Sequence, residues 1–235
     1  MTARVPGLLL CLALAGCGTA PPPERAGSRL AAALVSPTDV QLSWTGEDPG
    51  AAGHAVEFAT DESGPYTILA FLPGSRTSYR HPDLLPRTTF YYRLRPFYGP
   101  ASASVQVTLP AGDFNPAAHQ DDQAWAQPRA IPRGPVATAP VRSPASLPTD
   151  LAATVMDPNG IRFTWSDHAS DEEGYLLEVQ PAGGADWTVA ATLDPDINSC
   201  GLVTLPTEKR AAYRVRPYRF GPASNTVRET TGGQA

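Results

Sequence analysis

The feature that most constrains this chain is that it is written twice. Displaced by 121 residues, Leu30-Ala31-Ala32 falls on Leu151-Ala152-Ala153, Trp44 on Trp165, Gly53 on Gly174, Glu57 on Glu178 and Tyr92-Arg93 on Tyr213-Arg214. The phrase RLRPFYGPAS, from Arg93, returns as RVRPYRFGPAS from Arg214, with one residue gained just before the second glycine. Self-similarity at a fixed offset marks repeated structural units. The copies span residues 29–110 and 148–230.

Each copy breaks into short runs with strand chemistry. In the first they include DVQLSW, GHAVEFA, YTILAFL and FYYRLRPF; in the second, GIRFTW, GYLLEVQ, WTVAATL and AYRVRPY. Alternation with β-branched and aromatic residues, bounded by Gly, Pro, Asn and Asp, predicts strands. No segment carries a capped helical period. The expectation is an all-β chain of two small antiparallel β-sandwiches, about seven strands each. Residues 111–147 match neither copy and carry six prolines. They read as a semi-extended linker that would reach about 110 Å in polyproline geometry. Across such a spacer the two modules are expected to fold independently. Two linker aromatics, Phe114 and Trp125, are expected either to dock on a module or to meet a partner. Residues 231–235 read as a tail.

The strand pattern resembles the fibronectin type III domain across both copies. Trp44 and Trp165 stand at that family's second-strand Trp. Its third-strand pattern is matched by YLLEV (Tyr175 to Val179) and more loosely by HAVEF (His54 to Phe58), and its sixth-strand signature is echoed by LLPRTTFYYRL from Leu84 to Leu94. The tyrosine-corner position holds Phe90 in one copy and Ala211 in the other, so each corner loses a hydrogen bond worth about 0.5–1.5 kcal/mol. The resemblance implies adhesion, spacing, or protein or glycan binding rather than catalysis. Strand alternation turns Tyr92 and Leu94 inward and Arg93 and Arg95 outward. Glu57 should then pair with Arg93 or Arg95, and Glu178 with Arg214 or Arg216, on solvated sheet faces at about 0.2–1 kcal/mol each. GPAS should form the turn into the last strand.

The N-terminus carries a different message. Arg4, the apolar VPGLLLCLALA and then LAGC (Leu14 to Cys17) form an export signal too short to span a bilayer as a stop-transfer helix. LAGC closely resembles the lipobox of bacterial lipoproteins, which implies a signal peptide over 1–16 and a diacylated Cys17 as the mature first residue. Residues 18–28 then tether the first module to the membrane. Gly18 is not the Asp that resembles an inner-membrane retention signal, so an outer membrane is favoured where the cell has two. Removing 1–16 takes away only Arg4, leaving the chain one unit more acidic than its net charge of −5. That balance argues against nucleic acid as a partner. Cys11 leaves with the signal and Cys17 takes lipid, so Cys200 has no disulfide partner within the chain. At a core-facing strand position it should be a buried, inert thiol.

No catalytic or metal-binding constellation stands out. His54, His81, His119 and His168 are scattered without zinc spacing, and no nucleophile elbow or phosphate-cradling loop occurs. Asp167, Asp171, Glu172 and Glu173 lie in one acidic loop without the EF-hand spacing and read as solvated. No enzyme activity, cofactor, metal or small-molecule substrate is expected. The aromatics after the sixth strand, Phe97 and Tyr98 with Tyr218 and Phe220, are the binding candidates, since loops on sandwiches often carry binding. The expected partners are the membrane, through the lipid, and an envelope protein or glycan.

Overall fold

Among the described residues, fourteen strands form where the alternating runs lie. The structure is a computed structural model and describes residues 28–46, 48–112, 124–132, 134, 136–204 and 209–233. In the first copy β1 (Arg29–Ser36), β2 (Asp39–Thr45) and β5 (Ser78–His81) make one sheet in the order β1-β2-β5. Facing it are β3 (Gly53–Ala59), β4 (Thr67–Pro73) and β6 (Thr89–Tyr98). The second copy repeats the plan. There β8 (Thr149–Val155), β9 (Gly160–Ser166) and β12 (Ser199–Val203) face β10 (Gly174–Pro181), β11 (Thr188–Leu193) and β13 (Arg210–Phe220). Every strand pair is antiparallel. The chain is all-β, with two small antiparallel sandwiches.

The two cores follow from the two-residue period. In the first, Val40, Leu42 and Trp44 alternate inward on β2 and meet Val56, Tyr92 and Leu94 from β3 and β6. In the second, Ile161, Phe163 and Trp165 on β9 meet Leu177, Tyr213 and Val215. Burying a large apolar side chain contributes about 1.5–3 kcal/mol, and these residues are at most 4% exposed. Phe90 and Ala211, where the corner tyrosine is missing, are buried in the respective cores.

The seventh strands do not follow the repeat. β7 (Val105–Thr108), in the first copy, pairs with β13 of the second, Val105 opposite Tyr213 and Arg210 opposite Thr108. β14 (Val227–Thr230), in the second copy, pairs with β6 of the first, Val227 opposite Tyr92 and Thr230 opposite Thr89. Packing agrees with pairing: Val107 and Leu109 enter the second core, and Val227 packs on the first. A self-contained module over 29–110 would hold β7 on β6, and this corrects that expectation. Similar edge strands can complete either sandwich, which is the condition for exchanging an element between units. The extended GPAS segments carry each strand across. The tail begins pinned as well. Thr231 donates its N–H to the Thr88 carbonyl, and Gly232 donates to Pro37.

β6 and β13 also meet directly, Tyr98 opposite Arg219 and Phe97 opposite Phe220, so one sheet runs through both sandwiches in the order β11-β10-β13-β6-β3-β4. The described parts of the linker are not a free spacer. Arg129 exchanges backbone hydrogen bonds with Ser199 on the edge of β12, and Asn198 holds both backbone groups of Ile131. Ala139 bridges Ala169, and Val141 is fully buried. Trp125 docks on the second module, over Gly160 of β9 and Gly201 of β12, where an added Cβ would come within 2.6 Å of its ring. Phe114 lies outside the described residues.

Candidate functional site

The repeated phrase builds the junction between the sandwiches. Ser102 donates its N–H to the Val215 carbonyl at 2.9 Å, and its hydroxyl oxygen accepts the Val215 N–H at 3.0 Å. The copy is faithful: Ser224 donates to the Leu94 carbonyl at 2.8 Å and accepts the Leu94 N–H at 3.0 Å. Each serine therefore takes over both ladder bonds of a core-strand residue just where the crossing begins. Gly99 has φ +141°, and a Cβ there would lie 1.9 Å from the Pro217 carbonyl oxygen. Arg216 donates to the Gly99 carbonyl at 2.5 Å. Asn225 then locks the returning strand, donating to and accepting from the backbone of Leu30, both at 2.9 Å. Reading the sequence missed Ser102 and Ser224 as junction residues. Their identity in both copies of GPAS was the signal.

The four aromatics expected in an exposed binding loop sit at this junction instead. Phe97 and Tyr98 end β6, and Tyr218 and Phe220 end β13. Phe97, Tyr98 and Tyr218 are buried and Phe220 is half-buried. Phe97 and Tyr218 share a cluster with Leu176, against which Phe71 and Phe220 pack. Phe71 lies edge-on to Phe97 and to Tyr218, each 5.4 Å away, and Arg142 of the linker covers Tyr98 at 3.7 Å. The expectation of a loop is corrected because strand pairing between β6 and β13 turns this end of each sandwich against the other. Such rings hold the junction closed, with Phe97, Tyr98 and Tyr218 packed inside it.

The paired charges are where the sequence placed them, but their carboxylates are buried and the arginines only partly exposed. Glu57 accepts from Arg93 at 2.5 Å with Arg95 3.7 Å away; Glu178 accepts from Arg214 at 2.5 Å and Arg216 at 3.4 Å. Glu57 is 3% exposed and Glu178 6%. The correction has a cause. Tyr66 stacks over Arg93, Trp187 over Arg214, and Phe220 over Arg95, at 3.9–4.1 Å. These rings roof the outer sheet face and lower the local dielectric, which strengthens the pairs and makes each partner costlier to remove.

Among the described residues, one serine, histidine and carboxylate come together without triad geometry. Ser28 and His54 are in contact at 3.1 Å with Asp48 close by, but Asp48 accepts from Ser28 and leaves the buried His54 Nδ1 without a partner. In a nucleophilic triad the carboxylate holds that nitrogen. Ser28 is 5% exposed, and burial depresses the His54 pKa below the ordinary imidazole value. His81 is likewise packed, against Phe58, Phe90 and Tyr92. His168 contacts Thr149 at 2.9 Å, while His119 lies outside the described residues. Cys200 is fully buried, and burial pushes its thiol pKa up to about 12, far from the range of a reactive thiolate.

The acidic loop divides in two. Asp171 accepts the Val141 N–H and pairs with Arg219; Glu173 accepts the Phe220 N–H, so both serve the junction. Asp167 and Glu172 instead gather with Asp196 from the β11–β12 loop, with one carboxylate oxygen of each lying within 4.8 Å of the others. Asp167 accepts from the Ala169 N–H at 2.9 Å and from the Tyr175 hydroxyl. Glu172 Oε1 accepts the Asp196 N–H at 3.1 Å, while Glu172 Oε2 is buried without a hydrogen-bond partner. Burial first, then the neighbouring carboxylates, raises the pKa of Glu172; burial is also the main cause of the raised pKa of Asp167.

The chain is similar to an Fn3-like protein from Clostridium thermocellum at 32% identity, over 28% of this chain and 69% of that one, with a TM-score of 0.26. A segment of two fibronectin type III domains from chicken tenascin matches at 14% identity over 88% and 99%, with a TM-score of 0.28. Domains FN1–FN3 of chicken CNTN1 match at 17% identity over 88% and 67%, with a TM-score of 0.27. No family model matches the chain, and no curated protein does.

Proposed function

We propose that this chain is a non-catalytic lipoprotein of the bacterial cell envelope, in which acylated Cys17 holds a cross-braced pair of sandwiches at the membrane surface. Cys17 lies outside the described residues, so the anchor rests on LAGC after its apolar run. One acyl chain binds a membrane only marginally, and two give stable anchoring. No helix among the described residues is long and apolar enough to cross a membrane. The observation that carries the functional reading is the reciprocal exchange of β7 and β14. Two sandwiches that complete one another cannot swing apart without breaking strand ladders. They act as a spacer or assembly subunit that contacts neighbouring envelope proteins through its faces.

A second reading is protein or glycan binding, now with different residues. Leu34, Val35 and Leu85 are exposed near the β1–β2 turn, and Val155, Met156 and Val203 near the equivalent β8–β9 turn. Apolar groups gathered at the tips favour a contact there over one at the buried junction.

The test is Cys17→Ser. The wild-type chain should fractionate with membranes, with mass spectrometry showing a diacylated N-terminal cysteine; the variant should be released or remain an unprocessed precursor. A mature N-terminus without acyl chains overturns the anchor. Cross-linking in the native envelope separates the two readings. Partners joined through sheet faces support the spacer, and partners lost on Leu34→Ser with Leu85→Ser support the binder.

A further inference from the structure

We propose that Asp167, Glu172 and Asp196 form a Ca²⁺ site on the second sandwich. The three carboxylates come from two loops, β9–β10 and β11–β12, and offer oxygen ligands within 4.8 Å of one another. That span equals the diameter of a coordination sphere with Ca–O bonds of about 2.4 Å, so any two of the oxygens can reach one ion and a small inward shift brings the third onto it. The donor set is oxygen only, which selects a hard cation over zinc or copper.

Two observations separate this cluster from an ordinary acidic loop. The first is Glu172. It is nine-tenths buried, it contributes an oxygen to the cluster, and its Oε2 has no hydrogen-bond partner among the described residues. A buried carboxylate oxygen left unpaired is costly. No Lys or Arg side chain pairs with any of the three among the described residues. A cation between the loops supplies what the protein does not.

The second is the internal repeat. The same positions in the first copy hold Gly46, Ala51 and Ser75, in the equivalent loops between the corresponding strands. That sandwich closes without any of the three carboxylates, so the fold does not require them. Asp196 adopts φ 61°, is exposed, and leaves one side of the cluster open for water to complete the shell. Three carboxylates with water as co-ligand correspond to a weak site, about 10⁻⁴–10⁻³ M, the range of extracellular modules.

The test uses the full chain after chelator treatment. Ca²⁺ at about 10 mM, some tenfold above the weakest affinity of that class, should raise Tm by about 5 °C. Tb³⁺ should show emission sensitised by Tyr175 and Trp165, whose rings lie 5.5 Å apart beside Asp167, and Ca²⁺ should displace it. Glu172→Gln should lose both responses. Asp196→Asn, at an exposed position, should lose them without loss of the fold, and Asp186→Asn elsewhere on the surface should keep them. No Ca²⁺-dependent shift in the wild type, or a response retained in both Glu172→Gln and Asp196→Asn, overturns the site.

Discussion

Glu57 shows how a residue's surroundings, more than its partner, set what a contact is worth. Exposed cross-strand charge pairs contribute little, about 0–1 kcal/mol, because water competes for both ions. Glu57 has a side chain only 4% exposed under the roof of Tyr66, and Arg93 holds it at 2.5 Å. Arg93→Ala would strand most of that charge, since Arg95 remains 3.7 Å away and cannot replace the short bond. The expected loss is about 3 kcal/mol, read as a lower urea midpoint. Arg76→Ala breaks the exposed pair with Asp186, in which both side chains are more than half exposed, and should cost less than about 1 kcal/mol. Equal losses would mean that the roof does not exclude water. The pairing itself was legible in the sequence, because alternation on two adjacent strands fixes which residues oppose one another. Its burial was not, because Tyr66 and Trp187 reach it from outside the paired strands.

At the scale of elements, periodicity located every core strand but could not say which sandwich a seventh strand completes. Alternation reports which face a strand buries, and β7 and β14 bury similar faces in either sandwich. Choosing between them needs the crossing segment, and there the sequence held usable signals in Gly99, Pro100 and Ser102, repeated as Gly221, Pro222 and Ser224. The docking of Trp125 was legible in the same way. Gly160 and Gly201 stand where the first copy has Asp39 and Arg80, which form an ion pair. A glycine pair replacing charged residues in strands marks a close approach by another part of the chain. Gly99 is the sharpest point of the crossing. Gly99→Ala should cost about 2 kcal/mol or more, because its Cβ would strike the Pro217 carbonyl in a backbone region that disfavours side chains. Gly183→Ala has φ +82° but open space around it and should cost only about 1 kcal/mol. Thermal denaturation of both variants checks the difference.

For the whole molecule the exchange turns two modules into one folding problem. Neither 29–110 nor 148–230 contains all the strands of the sandwich it begins, so separate fragments should not fold as the linker composition suggests. A chain ended after Ser224 makes the sharper test, because it removes Asn225, β14 and the Thr231 and Gly232 contacts, all of which bond to the first sandwich. Contiguous modules would place β14 on β13, and the damage would then fall on the second sandwich. With β14 on β6, the edge from Thr89 to Tyr92 loses its partner, and Val227 no longer covers the first core. Backbone groups unpaired along that edge and the lost apolar cover destabilise the first sandwich together. Hydrogen exchange read by mass spectrometry should therefore show protection falling across β1 to β6, while β9, β10 and β13 stay slow under the cover of β7. Protection lost first from β9 to β13 would restore the contiguous arrangement and, with it, two modules free to move on a long linker.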